Sequence, residues 1–102
     1  MGSRIELQQK LEAVLGSRNV YFQPPETLKI KYPAIIYDLA DIETAKANNH
    51  KYLYNKRYTI TLIHNDPDTV LVENLLEAFN YVDFDRNYKT NNLNHFVFDL
   101  FY

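Results

Sequence analysis

The sequence predicts an α+β fold in which a mainly antiparallel β-sheet of about four to five strands packs against two helices. Two segments place apolar residues three or four positions apart, as an amphipathic helix does. Other segments alternate apolar and polar residues, which is the pattern of a half-buried strand. With 102 residues, the chain is predicted to form one domain over residues 1–102, close to the size at which a single core becomes adequate.

Composition argues against several classes of protein. Apolar residues make up 46% of the chain and aromatic residues 15%, which favours a packed core over disorder. Cysteine is absent, so the chain offers no disulfide, zinc-thiolate site or thiol nucleophile. The net charge is -2 and the basic residues are not densely clustered, so nucleic-acid binding is not the expected main activity. No apolar run approaches the roughly 20 residues that span a bilayer, and we expect a soluble protein.

The N-terminal segment predicts an amphipathic helix. Its apolar positions are Leu7, Leu11, Val14 and Leu15. Ser3 is the predicted N-cap, with Glu6 completing a capping box. Gly16 stands where a left-handed residue commonly ends a helix.

Three strands are predicted in the middle of the chain. A short apolar run from Val20 to Phe22, followed by two prolines, predicts a brief edge strand and a connection. The segment PAIIYDLADIETA alternates, with Ile35, Tyr37 and Leu39 on one face, and is expected to end at the polar ETAKANNH. The run KYLYNKRYTITLI would extend about 40 Å at roughly 3.3 Å per residue. Because a small domain needs less, its first half is predicted to project as an arm or hairpin together with the segment Asp41 to Lys51.

The C-terminal residues predict a β-hairpin. Two alternating runs flank the turn-forming KTNN. The last run places Phe96, Phe98, Leu100 and Tyr102 on one face and His95, Val97, Asp99 and Phe101 on the other. Because both faces are partly apolar, this strand is expected to be central or covered on both sides.

The stretch HNDPD contains residue types that bind metals or exchange protons, namely His64, Asp66 and Asp68. A second amphipathic helix is predicted directly after it, with Val72, Leu75, Leu76 and Phe79 at helical spacing. Asp66 is therefore the predicted N-cap, Pro67 the first helical residue, and Asp68 a first-turn acid that complements the positive helix end. His64 is interpreted as a hydrogen-bonded residue at a strand end, so no metal site is predicted.

Other polar residues also favour structural interpretations. Asp83 and Asp85 form a candidate carboxylate pair on the predicted fourth strand, but Arg86 follows directly, so a solvated strand face is favoured. His50 and His95 lie in asparagine-rich turns, where both serve as polar turn residues. With two glycines in the chain, no glycine-rich phosphate loop is expected. We predict no catalytic residue, cofactor site or metal ligand, and do not expect an enzyme.

A mixture of basic and aromatic residues makes the long strand a candidate interaction surface. The stripe consists of Lys51, Tyr52, Tyr54, Lys56 and Arg57. Such mixtures occur in grooves that bind single-stranded nucleic acid. They also occur in protein interfaces, where tyrosine and arginine are enriched. Because the chain is acidic overall, the protein interface is favoured.

Three stretches of the sequence resemble one protein family. They are YPAIIYDLADIETAKANNHKYLYNKRYTITLI, DPDTVLVENLLEAF and FDRNYKTNNLNHFVFDLFY. They are similar to the small tail-completion, or tail-terminator, proteins of long-tailed bacteriophages, which are also described as minor capsid or head-tail joining proteins. The resemblance covers residues 19–102. Its motifs, YP, KRYT, DPD and LNH, are structural, so it carries over no catalytic residue.

The resemblance implies a structural subunit that closes the tail tube as a hexameric ring and offers a docking surface to the head. The implied partners are further copies of the chain, the tail-tube protein and the head-side connector protein. No membrane, cofactor or specific nucleic acid is implied, although DNA would pass through such a ring. The implied location is the virion neck or tail, and the host cytoplasm during assembly. A head-completion protein on the portal side and a small nucleic-acid-binding module are the alternatives, with a small hydrolase further behind.

Overall fold

The structure, a computed structural model, describes residues 3–47 and 51–102, which contain two helices and five strands. In chain order these are α1 (Arg4–Leu15), β1 (Val20–Phe22), β2 (Ala34–Ala47), β3 (Lys51–His64), α2 (Leu71–Ala78), β4 (Val82–Thr90) and β5 (Leu93–Phe101). The strands form one sheet in the order β1-β2-β3-β5-β4. β1 and β2 run parallel and the other neighbours run antiparallel. The predicted α+β class, with two helices on a mainly antiparallel sheet, is confirmed.

Helix α1 begins and ends as predicted. Ser3 Oγ accepts a hydrogen bond from the Glu6 backbone N–H at 3.2 Å, which satisfies one of the free donors of the first turn. Gly16 follows the helix in the left-handed conformation, with φ at 80°, and its N–H donates to the Glu12 carbonyl at 2.8 Å. The buried face of the helix consists of Leu7, Leu11 and Leu15.

One face of the sheet carries the hydrophobic core beneath the two helices. Across its centre, Tyr37 of β2, Ile60 of β3 and Phe98 of β5 lie in one row. All three are fully buried. A polar contact fixes α1 over this row, because the Tyr37 hydroxyl donates to Gln8 Oε1 while Gln8 Nε2 donates to the Val20 carbonyl at 2.9 Å. One glutamine thus joins α1 to both β1 and β2.

The C-terminal hairpin forms where the sequence predicts it. Asn91 and Asn92 connect β4 to β5 with φ values of 52° and 62°, as a two-residue hairpin turn of type I′ requires. β5 lies between β3 and β4, which confirms its expected central position. α2 connects β3 to β4 across β5, so β4 is left at the edge of the sheet.

The arm consists of residues 41–47 of β2 and 51–57 of β3, which pair with each other from Asp41 and Arg57 outwards. Strand β5 accompanies β3 only as far as Arg57, opposite Phe101, and among the described residues no other strand pairs with the arm beyond that point. The expectation that β2 ends at the polar ETAKANNH was wrong, because backbone pairing with β3 continues to Ala47. The register shifts between Leu39 and Asp41, so Ala40 is the extra residue of a β-bulge at the base of the arm.

The projecting arm lengthens the molecule, as predicted. Its principal extents are 52 × 29 × 23 Å and the radius of gyration is 14.7 Å. A compact domain of about 100 residues has a radius of gyration near 13 Å. The excess is what a hairpin extending from one end of the sheet produces.

We expect Gly16→Ala to lower the free energy of unfolding by about 1 kcal/mol, because alanine disfavours positive φ. A Cβ at Gly16 has no heavy atom within 4 Å, so the loss comes from the backbone alone. Urea denaturation measures it. Gly16→Asn, which tolerates this conformation better, should lose less, and equal stability of the alanine variant and wild type would contradict this account of the helix end.

Candidate interaction surface

The stripe predicted as an interaction surface runs along the β3 half of the arm. The structure locates the backbone of Lys51, Tyr52 and Tyr54 in β3, whereas their side chains lie outside the part of the chain that it describes. Lys56 and Arg57 lie at the base of the arm, where both are half-buried. All five residues therefore occupy one continuous strand.

Arg57 is held at the base of the arm by one long ion pair. Its Nη1 atom lies 3.4 Å from Asp99 Oδ1, and the two side chains are 34% and 35% exposed. An ion pair of this exposure contributes about 0–1 kcal/mol. Next to it, the C-terminal Tyr102 donates its N–H to the Lys56 carbonyl at 3.0 Å. Replacing Arg57 is therefore expected to leave the core intact.

Apolar and aromatic side chains surround the base of the arm on the helix-covered face. Tyr58 is 2% exposed and its ring centroid lies 6.0 Å from that of Tyr37. Burial raises the pKa of the Tyr58 hydroxyl, the nearby Tyr37 raises it further, and Arg4 lowers it. By contrast, Leu39 and Ile42 are 38% and 46% exposed. The base of the arm thus combines a buried tyrosine with exposed apolar surface.

The HNDPD stretch is a turn built from side chain to backbone hydrogen bonds. His64 Nδ1 accepts from the Asp66 N–H, and Asp66 Oδ1 accepts from the Asp68 N–H, each at 2.9 Å. His64 ends β3, so its interpretation as a hydrogen-bonded strand-end residue is confirmed. The predicted helix cap at Asp66, Pro67 and Asp68 was wrong, because α2 begins only at Leu71 and Asp66 caps the turn instead.

Thr69, which the sequence analysis did not single out, supplies a side-chain hydrogen bond at the start of α2. Its hydroxyl oxygen accepts a hydrogen bond from the Leu71 N–H at 3.3 Å, and its carbonyl accepts one from the Val72 N–H at 3.4 Å. The Thr69 side chain is buried at the start of α2, in contrast to the exposed aspartates. Threonine is itself a preferred residue at helix starts, so the signal was present in the residue directly after Asp68.

The other polar candidates lie apart from one another. Asp83 lies opposite Asp99 across the β4–β5 ladder, whereas the ladder skips Asp85, which pairs with Arg86 at 2.7 Å. The His95 ring stacks on Tyr88, with centroids 4.8 Å apart. His50 lies outside the described residues. Among the side chains that the structure describes, those of residues 3–42 and 56–102, no group of three His, Asp or Glu residues is placed to hold a metal ion.

A groove between α2 and β4 is a second surface that the sequence did not indicate. It has a volume of about 550 Å³. Its apolar side chains are Val72, Leu76, Phe84 and Phe96. Asp68 and Glu73 supply carboxylates and Asn87 an amide. These residues come from α2, β4, β5 and the turn before α2, so only the folded chain brings them together.

We expect Thr69→Ala to lower the free energy of unfolding by about 1 kcal/mol, because the hydroxyl accepts from a helix N–H at a buried position. Asp66→Ala should cost less than about 0.5 kcal/mol, since its turn is exposed. Chemical denaturation measures both, with Thr69→Ser as the control that keeps the hydroxyl. A larger loss in Asp66→Ala than in Thr69→Ala, or a rise in the wild-type melting temperature with added divalent metal, would contradict this interpretation of HNDPD.

We expect stability to fall as the pH rises above about 10, the ordinary pKa of tyrosine, in part because of Tyr58. Its pKa is raised in the folded chain, so the unfolded chain releases this proton first and gains stability. Tyr58→Phe should flatten that fall, as followed by urea denaturation between pH 9 and about 11. Tyr81→Phe, at a position that is 72% exposed, should leave the slope unchanged, and equal slopes for Tyr58→Phe and wild type would refute the assignment.

No helix in the described part of the chain is both long and apolar enough to cross a membrane. No protein-family model matches the chain, and no curated protein matches it.

Proposed function

We propose that the chain is a structural assembly protein that binds neighbouring subunits through its arm, and that it closes the tail tube of a long-tailed bacteriophage as a ring. The tail assignment is supported by the resemblance of residues 19–102 to tail-terminator proteins. The assembly role is supported by the arm itself. Its site of action would be the neck or tail of the virion, after assembly in the host cytoplasm.

The length of the arm is the observation that carries the proposal. Six paired positions, from Ile42 with Lys56 to Ala47 with Lys51, extend beyond the last pair between β3 and β5. At roughly 3.3 Å per residue, they reach about 20 Å from the sheet. A two-stranded hairpin is at best marginally stable alone in water. A neighbouring subunit would supply the additional contacts, as in assemblies whose segments order on binding.

In this mechanism the chain acts by stoichiometric binding. An arm that docks on a different surface of the next copy makes a head-to-tail contact, and such contacts generate a closed ring when the rotation closes. A tube of sixfold symmetry would select six copies of 12.1 kDa, or about 73 kDa. Bound to the end of the tube, the ring stops growth with one face and offers the other face to the head-side connector.

Two alternatives lead to different observations. A head-completion protein would bind the portal side and leave tail tubes bare. A nucleic-acid-binding module using the stripe from Lys51 to Tyr58 would bind single-stranded DNA with an affinity that falls steeply with salt, because cations bound to the DNA are released.

The test is to mix the purified protein with tail tubes from its own phage and examine the ends by electron microscopy. We expect density at one end only. Replacing Tyr52, Tyr54 and Arg57 together by alanine should weaken this capping about tenfold or more, because tyrosine and arginine are the common energetic centres of interfaces. The circular dichroism spectrum should be unchanged.

The matched control replaces Arg18, Lys29 and Tyr81, which are exposed and lie outside the arm, and should cap as wild type does. Tubes without end density at saturating protein would overturn the tail-terminator proposal. A triple arm variant that caps as well as wild type would remove the arm from the mechanism.

A further inference from the structure

The groove between α2 and β4 is open, apolar at its base and acidic beside it. Phe84 is 45% exposed, and its ring meets Phe98 edge-on at 5.4 Å. Phe96 beneath is 6% exposed. A partner that covers Phe84 would remove apolar surface from water. Asp68 and Glu73 line the same groove and would favour a cationic partner.

Charge is divided between this region and the arm. Residues 66–90, from the turn before α2 to the end of β4, contain six acidic and two basic residues. The segment from Asp41 to Arg57 contains four basic and two acidic residues. The two regions are therefore complementary in sign within a chain whose net charge is only -2.

The arm of one chain cannot reach the groove of the same chain. β3 is continuous from the arm to His64, and its ladder with β5 runs from Arg57 opposite Phe101 to His64 opposite Asn94. The arm leaves the sheet at the Arg57 end of this ladder. Pro67, Asp68 and Thr69, which close the groove, follow β3 at the other end. Any contact between the two surfaces is therefore a contact between two copies.

We propose that the groove between α2 and β4 receives the arm of a neighbouring copy of this chain. This inference rests on the proposed role of the arm and identifies the surface on which the arm docks. The contact joins different surfaces of the two copies, so it leaves a free arm at one end of a pair and a free groove at the other. Further copies add until a ring closes.

Disulfide trapping tests the contact in the whole 102-residue chain, which has no cysteine of its own. One variant carries Ala45→Cys in the arm, which keeps every basic residue. The other carries Asn87→Cys in the groove. Mixed at high concentration under mild oxidation, they should form a heterodimer, because disulfide formation accumulates transient contacts. The reference pair joins Ala45→Cys with Lys29→Cys, placed in an exposed loop outside the groove.

Charge reversal separates docking from random collision. Glu73→Lys, added to the Asn87→Cys variant, should lower the heterodimer yield at least about threefold, because it opposes the basic arm. Glu26→Lys makes the same reversal at an exposed position outside the groove and should leave the yield unchanged. Added salt should lower the yield of the wild-type pair towards the reference.

A heterodimer yield no higher than that of the reference pair would overturn the proposal. So would a mixture dominated by Ala45→Cys homodimers, which would show that arms meet arms. The result is distinguishable from failure of the tail-terminator proposal. Capped tubes without trapping would leave the function standing with another docking surface, whereas trapping with bare tubes would leave the contact standing in a different assembly.

Discussion

The antiparallel ladder between β2 and β3 joins the two parts of this molecule. From Ala34 to Leu39 it lies inside the sheet, flanked by β1 and β5. There Tyr37 and Ile60 are fully buried, and each such side chain contributes about 1.5–3 kcal/mol through burial. Beyond the pair of Asp41 with Arg57, the same ladder continues without a flanking strand among the described residues. The core thus positions the arm through one backbone ladder, which the bulge at Ala40 breaks at a single residue.

The shortness of helix α2 explains why a groove lies beside it. Residues Asn65 to Val70 form a turn between β3 and α2. The helix therefore begins only at Leu71, and it ends at Ala78. A helix of eight residues is only about 12 Å long. Phe98 and Phe96 are buried, whereas Phe84 on β4 stays 45% exposed. The late start of α2 at Leu71 and the exposed apolar surface on β4 are therefore both results of the shortness of this helix.

Much of the fold follows from local chemistry that a sequence displays. Ser3 and Gly16 mark the two ends of α1, because a helix cap and a positive φ are each favoured by only a few residue types. For the same reason, Asn91 with Asn92 favours a type I′ turn. The interior position of β5 followed from its two apolar faces. The arm followed from the length of its alternating run, since no small sheet accommodates a strand of that reach.

The errors have non-local causes. A polar sequence predicted that β2 would stop early, but a partner strand forms backbone hydrogen bonds with β2 whatever its side chains are, and β2 continues to Ala47. Asp66 was a plausible cap by residue type, yet its oxygen accepts a hydrogen bond within the turn, and the hydroxyl that bonds the first turn of α2 belongs to Thr69. The groove was not predictable from one strand or helix, because Asp68, Glu73 and Phe84 belong to separate elements.

The bulge at Ala40 has a geometric consequence for any assembly built on the arm. An extra residue on one strand increases the local twist and bends the hairpin, so it sets the angle at which the arm leaves the core. In a head-to-tail assembly that angle contributes to the rotation from each subunit to the next. Deleting or moving one residue here would change how many copies complete a circle while leaving both contact surfaces chemically intact. The number of subunits would then depend on the backbone geometry at the base of the arm, and not on the residues that form the contact.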